Sequence, residues 1–458
     1  MLFAAAFAVA LSASSAAPVL PWTLHEKRLD NGLRIVVVPT DKSGFFAMYE
    51  VVGTGSRDEV EPGHSGFAHF FEHMMFRGTK KVPAAARTTL LAKLGVDEGG
   101  YTTDDFTAYS LQGPKAALSE LFDLEADRFA NLEYSEDDFK TESRAVLGEY
   151  NKNFANPDEK AYEALASLAF DTHTYKHTTM GFLKDIEQMP KEFAYSRSFF
   201  KKFYAPDNVL IVVAGDVDPV ATHAAAAKAF SSWKGQRTKT KIDDEPALSA
   251  ERRAVVSWAN QTQRRVHLGW RVPSGVDDKK QAALGLLLKA YLFSGSSDLV
   301  KSLVIGGTDA DEAALAEDVS CWWDVHKDAS LYPVAVRVKD GAAADIVIDR
   351  VQAHLDNVAG GKINDRRFAD VKSNLRYSLL MNLTSADRIA GTLAWQSGPS
   401  MDATYLEGLY AALASTTVPE LQRYVGQWFG KQQRAIVELR HTPAASTTAT
   451  TPATGAAR

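Results

Sequence analysis

The chain has 458 residues, 45% of them hydrophobic and 24% charged, with a formal net charge of -6. At roughly 100–200 residues per domain this supports two to four domains with cores of their own, and it excludes fibrous and wholly disordered chains. The acidic balance argues against a nucleic-acid partner, and the single cysteine, Cys321, leaves any metal to histidines and carboxylates.

Residues 1–17 (MLFAAAFAVALSASSAA) hold an apolar run and then small residues, with no charge. That is the pattern of an export signal, cleaved near Ala16 or Ala17, and it is too short for a membrane span. Export of a chain with one cysteine suits a periplasm. No later stretch reaches 18 consecutive apolar residues, so no membrane span is expected. His25–Pro39 reads as a hairpin on a two-residue Asn31-Gly32 turn. Tyr49–Glu59 reads as a strand running into a Gly/Ser/Asp turn.

The segment GHSGFAHFFEHMMFRGT follows, with His69, Glu72 and His73. Helical positions four apart share a face, so both imidazoles can reach one ion, with Glu72 beside them. Zinc suits this set: it takes neutral imidazole nitrogens and lowers the pKa of a bound water to about 7, where a neighbouring carboxylate can accept the proton. Phe67, Phe70, Phe71, Met74, Met75 and Phe76 surround the pair and should half-bury it. His64, in a Pro-Gly turn, is expected to be exposed.

Helical patterns follow at Ala116–Asn131, Ser135–Phe154, Pro190–Phe203 and Asp365–Leu383, the second opened by a Ser135/Asp138 capping box. His173 and His177 are also four apart, but their Thr-rich context favours a loop over a second metal pair. Ser198–Pro219 and Gly426–Pro443 share one plan: a helix end, a polar turn, a buried β-branched strand and a closing Pro. Tyr49–Glu59 and His267–Asp278 form a second such pair, so the chain reads as a duplication. The units run over residues 22–235 and 255–441, joined by a polar linker at 236–254 and followed by a disordered tail at 442–458. The fold class is α+β: two related domains, each an antiparallel sheet with helices packed on one face. The Cys321-Trp322-Trp323 run fits a core or interface strand with an inert thiol.

HxxEH reverses the commoner HExxH order, and the segment around it resembles the pitrilysin and insulysin family, most closely the branch containing mitochondrial processing peptidase. The GSRDE turn (Gly55–Glu59) and FYAPDNVLIVVAGDVDP extend the resemblance. It implies a third ligand about 76 positions past the second His and a supporting Glu seven before that ligand. Glu149 and Glu142 occupy those positions, both within TESRAVLGEY. The resemblance thus implies one Zn2+ per chain on His69, His73 and Glu149, with Glu142 orienting the site and Glu72 acting as base and then acid.

It also implies an extended peptide substrate added beside the zinc helix, along an edge strand matched to Gly99–Leu111. Gly99, Gly100 and Tyr101 are its substrate-binding candidates, although Gly99-Gly100 stands where the family usually has Asn-Ala. Asp97, Glu98, Asp104 and Asp105 flank this strand as a solvated rim, or as an attraction for basic peptides. Active relatives carry in their second half an Arg, six residues and then a Tyr that grip peptide carbonyls. Here Val304 stands in place of that Arg, and no Tyr lies seven past any Arg between His267 and Arg458. Each missing donor would weaken oxyanion stabilisation by about 2.7–4 kcal/mol. The expectation is a homologous partner subunit that supplies the pair; the alternative is a weak peptidase acting alone. The reading is a zinc endopeptidase, or its catalytic subunit, acting on peptides or unfolded proteins. Its rivals are a non-catalytic scaffold or a peptide-binding protein that kept the fold.

Overall fold

The computed structural model describes residues 20–40, 43–306 and 313–442, so the expected export signal and the tail from residue 443 lie outside the described residues. In the first half, β1 (His25–Arg28), β2 (Arg34–Pro39), β3 (Phe45–Val52), β4 (Asp97–Thr102), β5 (Thr107–Pro114) and β6 (Val209–Gly215) form one sheet. Their spatial order is β1-β2-β6-β3-β5-β4. The second half builds β7 (Arg252–Trp258), β8 (Arg265–Val272), β9 (Ala316–Cys321), β10 (Ser330–Val338) and β11 (Arg434–His441) in the order β7-β11-β8-β10-β9. The first order without β1 repeats the second position for position, so the two related α+β units expected from the sequence are present.

Each sheet is mixed. β6 runs parallel to β2 and β11 runs parallel to β7, while the remaining neighbours are antiparallel. Both β6 and β11 return after a long helical excursion, so no tight hairpin dictates their direction. All seven residues of β6 (VLIVVAG) are buried, as befits a strand covered on both faces. The first hairpin departs from the expected two-residue turn. Its last pair is Arg28 with Arg34, and of the residues between them only Gly32 has a left-handed φ, at 97°. Asn31 instead donates to the carbonyls of Phe230 and Trp233, at 2.9 and 3.1 Å, and so ties the loop to the core.

The helices of the first half are α1 (Phe67–Met74), α2 (Ala84–Leu94), α3 (Leu118–Asn131), α4 (Glu136–Asn153), α5 (Pro157–Ala169), α6 (Leu183–Gln188), α7 (Phe193–Phe203) and α8 (Pro219–Ala229). Those of the second are α9 (Lys279–Leu292), α10 (Asp298–Val304), α11 (Ala344–Ala359), α12 (Asp365–Met381), α13 (Ala386–Ser397), α14 (Tyr405–Ser415) and α15 (Val418–Trp428). The Ser135/Asp138 box forms and opens α4, each residue satisfying the other's backbone N–H. α7 starts at Phe193, because Met189–Lys191 makes a separate tight turn.

Each sheet takes its own helices on one face, and on the opposite face it is covered chiefly by one helix of the other half. Ile389, Ala390 and Leu393 of α13 pack on Val36, Val51, Leu210 and Val212 of the first sheet. Ala161, Leu165 and Ala169 of α5 pack on Leu331, Val437 and Leu439 of the second. The run between the halves has no helix or strand from Lys234 to Glu251. It is fastened to the surface: the Glu245 carboxylate accepts from the N–H groups of Asp171, Thr172 and His173 and pairs with Arg271 at 2.8 Å.

Candidate metal centre and its cleft

α1 starts on Gly66, whose φ of 92° an L side chain rarely adopts. A Cβ there would also sit 2.3 Å from Ile186 Cδ1 and 2.8 Å from the Met180 carbonyl oxygen. The open N–H groups of this helix end are met by Glu59, fully buried, whose two oxygens each accept at 2.7 Å, one from Gly66 and one from Ala68. Burial pushes the Glu59 carboxyl well above its ordinary value, against the pull of those two donors. Phe67, Phe70, Phe71 and Met74 then seat the helix in the core, and His69, Glu72 and His73 turn toward α4 and β4.

Folding brings together the three residues placed at one ion by the resemblance. His73 Nε2 lies 3.3 Å from His69 Nε2 and 3.3 Å from Glu149 Oε2, and His69 Nε2 lies 3.7 Å from the same oxygen. A tetrahedral zinc with bonds of 2.0–2.2 Å has ligand-to-ligand edges of about 3.3–3.6 Å, so the triangle has the size that such an ion needs. His73 Nδ1 donates to Glu142 Oε1 at 2.9 Å, which turns the Nε2 lone pair toward the other two ligands. Arg77, one turn beyond His73, pairs with the second Glu142 oxygen through both Nε and Nη2.

The charges follow from these contacts. Burial and the neighbouring His73 bring His69 down to about 4, so it stays neutral. The Glu142 hydrogen bond, outweighing burial, raises His73, whose added proton a metal must displace. Burial pushes Glu142 up, but His73 and Arg77 overcome it and hold the carboxylate below its ordinary value. Glu72 is raised by burial, and its Oε2 accepts from Thr102 Oγ1 at 2.7 Å.

Gly99–Leu111 is not one strand. β4 ends at Thr102 and the chain turns back as β5, so the free edge of the sheet is Asp97–Thr102. Gly99 and Gly100 lie on that edge, and a Cβ at Gly100 would stand 3.4 Å from Glu72 Cγ and 3.2 Å from Phe76 Cζ. The Tyr101 side chain points to the opposite face, against Phe106 and Trp395, and away from the three ligands. Beside Thr102 opens a cleft of about 600 Å³ whose walls come from both halves, including Asn153, Tyr162, Trp322, His326 and Trp395.

Several flanking residues lie elsewhere than the sequence suggested. Asp105 is buried rather than solvated, and Asp104 is half-buried. Asp105 accepts from the Tyr175 hydroxyl and the Lys327 N–H, and its Oδ2 faces His326 at 3.3 Å. Arg57 and His173 converge on Asp328 beside this group. Together they hold the loop between β9 and β10 over the first half. His173 is thus a buried interface residue, whereas His177 is buried within the first half, its Nδ1 facing the Thr178 carbonyl. His64 is half-buried, stacked on Tyr195 at 3.8 Å. Val304 ends α10 and packs into the second core. Burial pushes the Cys321 thiol up to about 11. Among the described residues, the metal-ligand types gather closely enough to hold an ion only at His69, His73 and Glu149.

Glu59, Arg77 and Thr102 were missed by sequence reasoning. Arg77 had a readable signal, its spacing of four from His73, although it lies in the tight turn Met75–Arg77 just past α1; Glu59 and Thr102 gain their roles only through tertiary folding.

Residues 36–182 match the model of the insulinase family, peptidase family M16, and residues 195–375 match the model described as the peptidase M16 inactive domain. The chain is 27% identical over 422 residues to zinc protease PqqE of Helicobacter pylori, covering 91% of this chain and 93% of that one. The crystal structure of a protease from Helicobacter pylori, also 27% identical, overlays with a TM-score of 0.83 over 92% of this chain and 99% of that chain. The periplasmic protease PqqL of Escherichia coli, 19% identical, shares the fold with a TM-score of 0.70; 93% of this chain covers 48% of that longer one.

Proposed function

We propose, from the premise that this chain belongs to peptidase family M16, that it is a zinc endopeptidase hydrolysing peptides or unfolded proteins held in extended form. The observation that carries this is the triangle of His69 Nε2, His73 Nε2 and Glu149 Oε2 with Glu72 alongside. These residues would hold Zn2+, which supplies a Lewis acid that polarises a peptide carbonyl and acidifies water.

The chain's own residues do the rest. Glu142 keeps the His73 proton on Nδ1, so that Nε2 is free to ligate. Thr102 fixes one oxygen of Glu72 and leaves the other to take a proton from the attacking water and pass it to the departing amine. Partial burial raises the Glu72 carboxyl toward the range of a working base. The free edge of β4 offers main-chain partners to an extended peptide, and Gly100 lets that edge lie close against Glu72.

A homologous partner subunit would bring the Arg and Tyr; what supports it is that the second half lacks the pair, with Val304 in the place of the Arg. The composition of residues 1–17 supports export to a periplasm, and the first residue of the mature protein tests that. The test of the catalytic reading is Glu72→Gln. The variant should keep one zinc per chain and bind peptide while turnover falls at least about a hundredfold. Retained turnover, or a wild-type protein that takes up no zinc, would overturn it.

A further inference from the structure

Adding an extended peptide to the edge of β4 dictates where its side chains go, because successive side chains of a strand point to opposite faces of the sheet. β4 itself shows what each face holds. Glu98, Gly100 and Thr102 stand on the α1 face, where Thr102 reaches Glu72 and Glu98 pairs with Arg87 of α2. Asp97, Gly99 and Tyr101 stand on the other face, where the Tyr101 ring lies 5.9 Å from Phe106 and 5.5 Å from Trp395 of α13. Every second residue of an added peptide therefore turns away from the metal ligands and toward the second half.

A pocket of about 460 Å³ lies on that side, bounded by Tyr49, Tyr101, Leu379, Thr392, Trp395 and Gln396. Gly99 projects nothing across it, since a Cβ there would meet only Ser110 Oγ, at 3.2 Å. Three aromatic rings and Leu379 share the walls with Asn382, Arg388 and Thr392. The Asp387 carboxylate at the rim accepts from the Tyr49 hydroxyl at 2.9 Å, and Gln396 Oε1 is buried with no hydrogen-bond partner among the described residues. With Asp387 and Arg388 both in the lining, the rings gain most from a large aromatic or aliphatic side chain, which covers them and brings no charge of its own.

Resting on the peptidase reading above, we propose that this pocket between β4 and α13 is a specificity subsite for a large aromatic or aliphatic substrate residue, one whose side chain faces away from α1. Both the wall (Trp395) and the filling position (Thr392) belong to the second half, which thereby selects substrate although the metal ligands all lie in the first.

The test uses the full chain with zinc bound and polyalanine-based peptides carrying one Phe or none. On the Glu72→Gln background, the Phe peptide should bind about tenfold tighter than its Ala counterpart. Thr392→Trp, which fills the pocket, and Trp395→Ala, which removes a wall, should each cut that ratio to less than about threefold, with zinc content unchanged. Wild-type products, read by mass, should show one dominant cut at a fixed number of bonds from the Phe. A missing Phe preference, a preference that Thr392→Trp leaves intact, or cuts scattered without a fixed offset from the Phe would each overturn the subsite. A Phe preference in binding with no cleavage by wild type would leave the subsite standing and sink the peptidase reading.

Discussion

Replacing Glu142 by Gln separates orientation of the metal centre from ligation. Glu142 accepts His73 Nδ1–H at 2.9 Å with one oxygen and takes Arg77 on the other, and it touches neither His69 nor the space between the ligands. Its neighbours hold it ionised, so Gln keeps the shape and removes the charge. The loss of such a carboxylate behind a ligating His lowers metal affinity by about 10–100-fold. That becomes measurable through stability, because metal that binds only the folded chain stabilises it according to its free concentration over Kd. At a buffered free zinc of about 100 times the wild-type Kd, wild type gains about 2.7 kcal/mol over its apo form, whereas a variant bound 10–100-fold more weakly gains only about 1.4 to 0.4 kcal/mol. Urea titrations of apo and zinc-buffered protein, wild type and variant, yield the four midpoints required. An equal zinc-dependent gain in both proteins would refute the orienting role. A large loss already in the apo form would show Glu142 to be a structural residue first.

Gly66→Ala should cost about 3 kcal/mol or more, since Ala must adopt a left-handed backbone and meet Ile186 and the Met180 carbonyl; a urea-midpoint loss under about 1 kcal/mol would show that the start of α1 gives way easily. His326 gives a pH test. Burial pushes its imidazole down, but the Asp105 hydrogen bond and the charges of Asp105, Asp104 and Asp324 outweigh it and carry it to about 9. A folded value raised above the ordinary 6.5 means stability fully present below pH 6.5 and lost as pH rises through 9. His326→Gln should therefore be less stable than wild type at pH 6, with most of that deficit gone near pH 10. Equal deficits at the two pH values would show that the charge contributes nothing.

The helix of His69 and His73, the capping of α4 and the duplicated plan were legible in the sequence because each is written in local spacing: a step of four between imidazoles, a step of three across a capping box, alternating strands around Gly and Pro. What escaped depends on residues far apart in the chain. Asp105 looks solvated in its own segment, and only the loop around His326, brought in from the other half, buries it. Tyr101 belongs with Gly99 and Gly100 on the matched edge strand, but which face it serves was not legible: alternation sends its ring to the far side of the sheet, against Trp395. The parallel pairing of β2 with β6 left no local trace, since more than 160 residues separate Pro39 from Val209. The two-residue turn at Asn31-Gly32 failed for a related reason: Asn31 spends its side chain on carbonyls of Phe230 and Trp233.

The crossing of α5 and α13 constrains how this molecule can be divided. A chain severed between its halves would leave each piece with a bare hydrophobic face that water must cover. An isolated half could cover that face only by meeting a second copy about a twofold axis, each lending the other its helix. The tandem sequence makes that exchange internal, so assembly no longer depends on dilution, and neither half is expected to persist as a stable fragment.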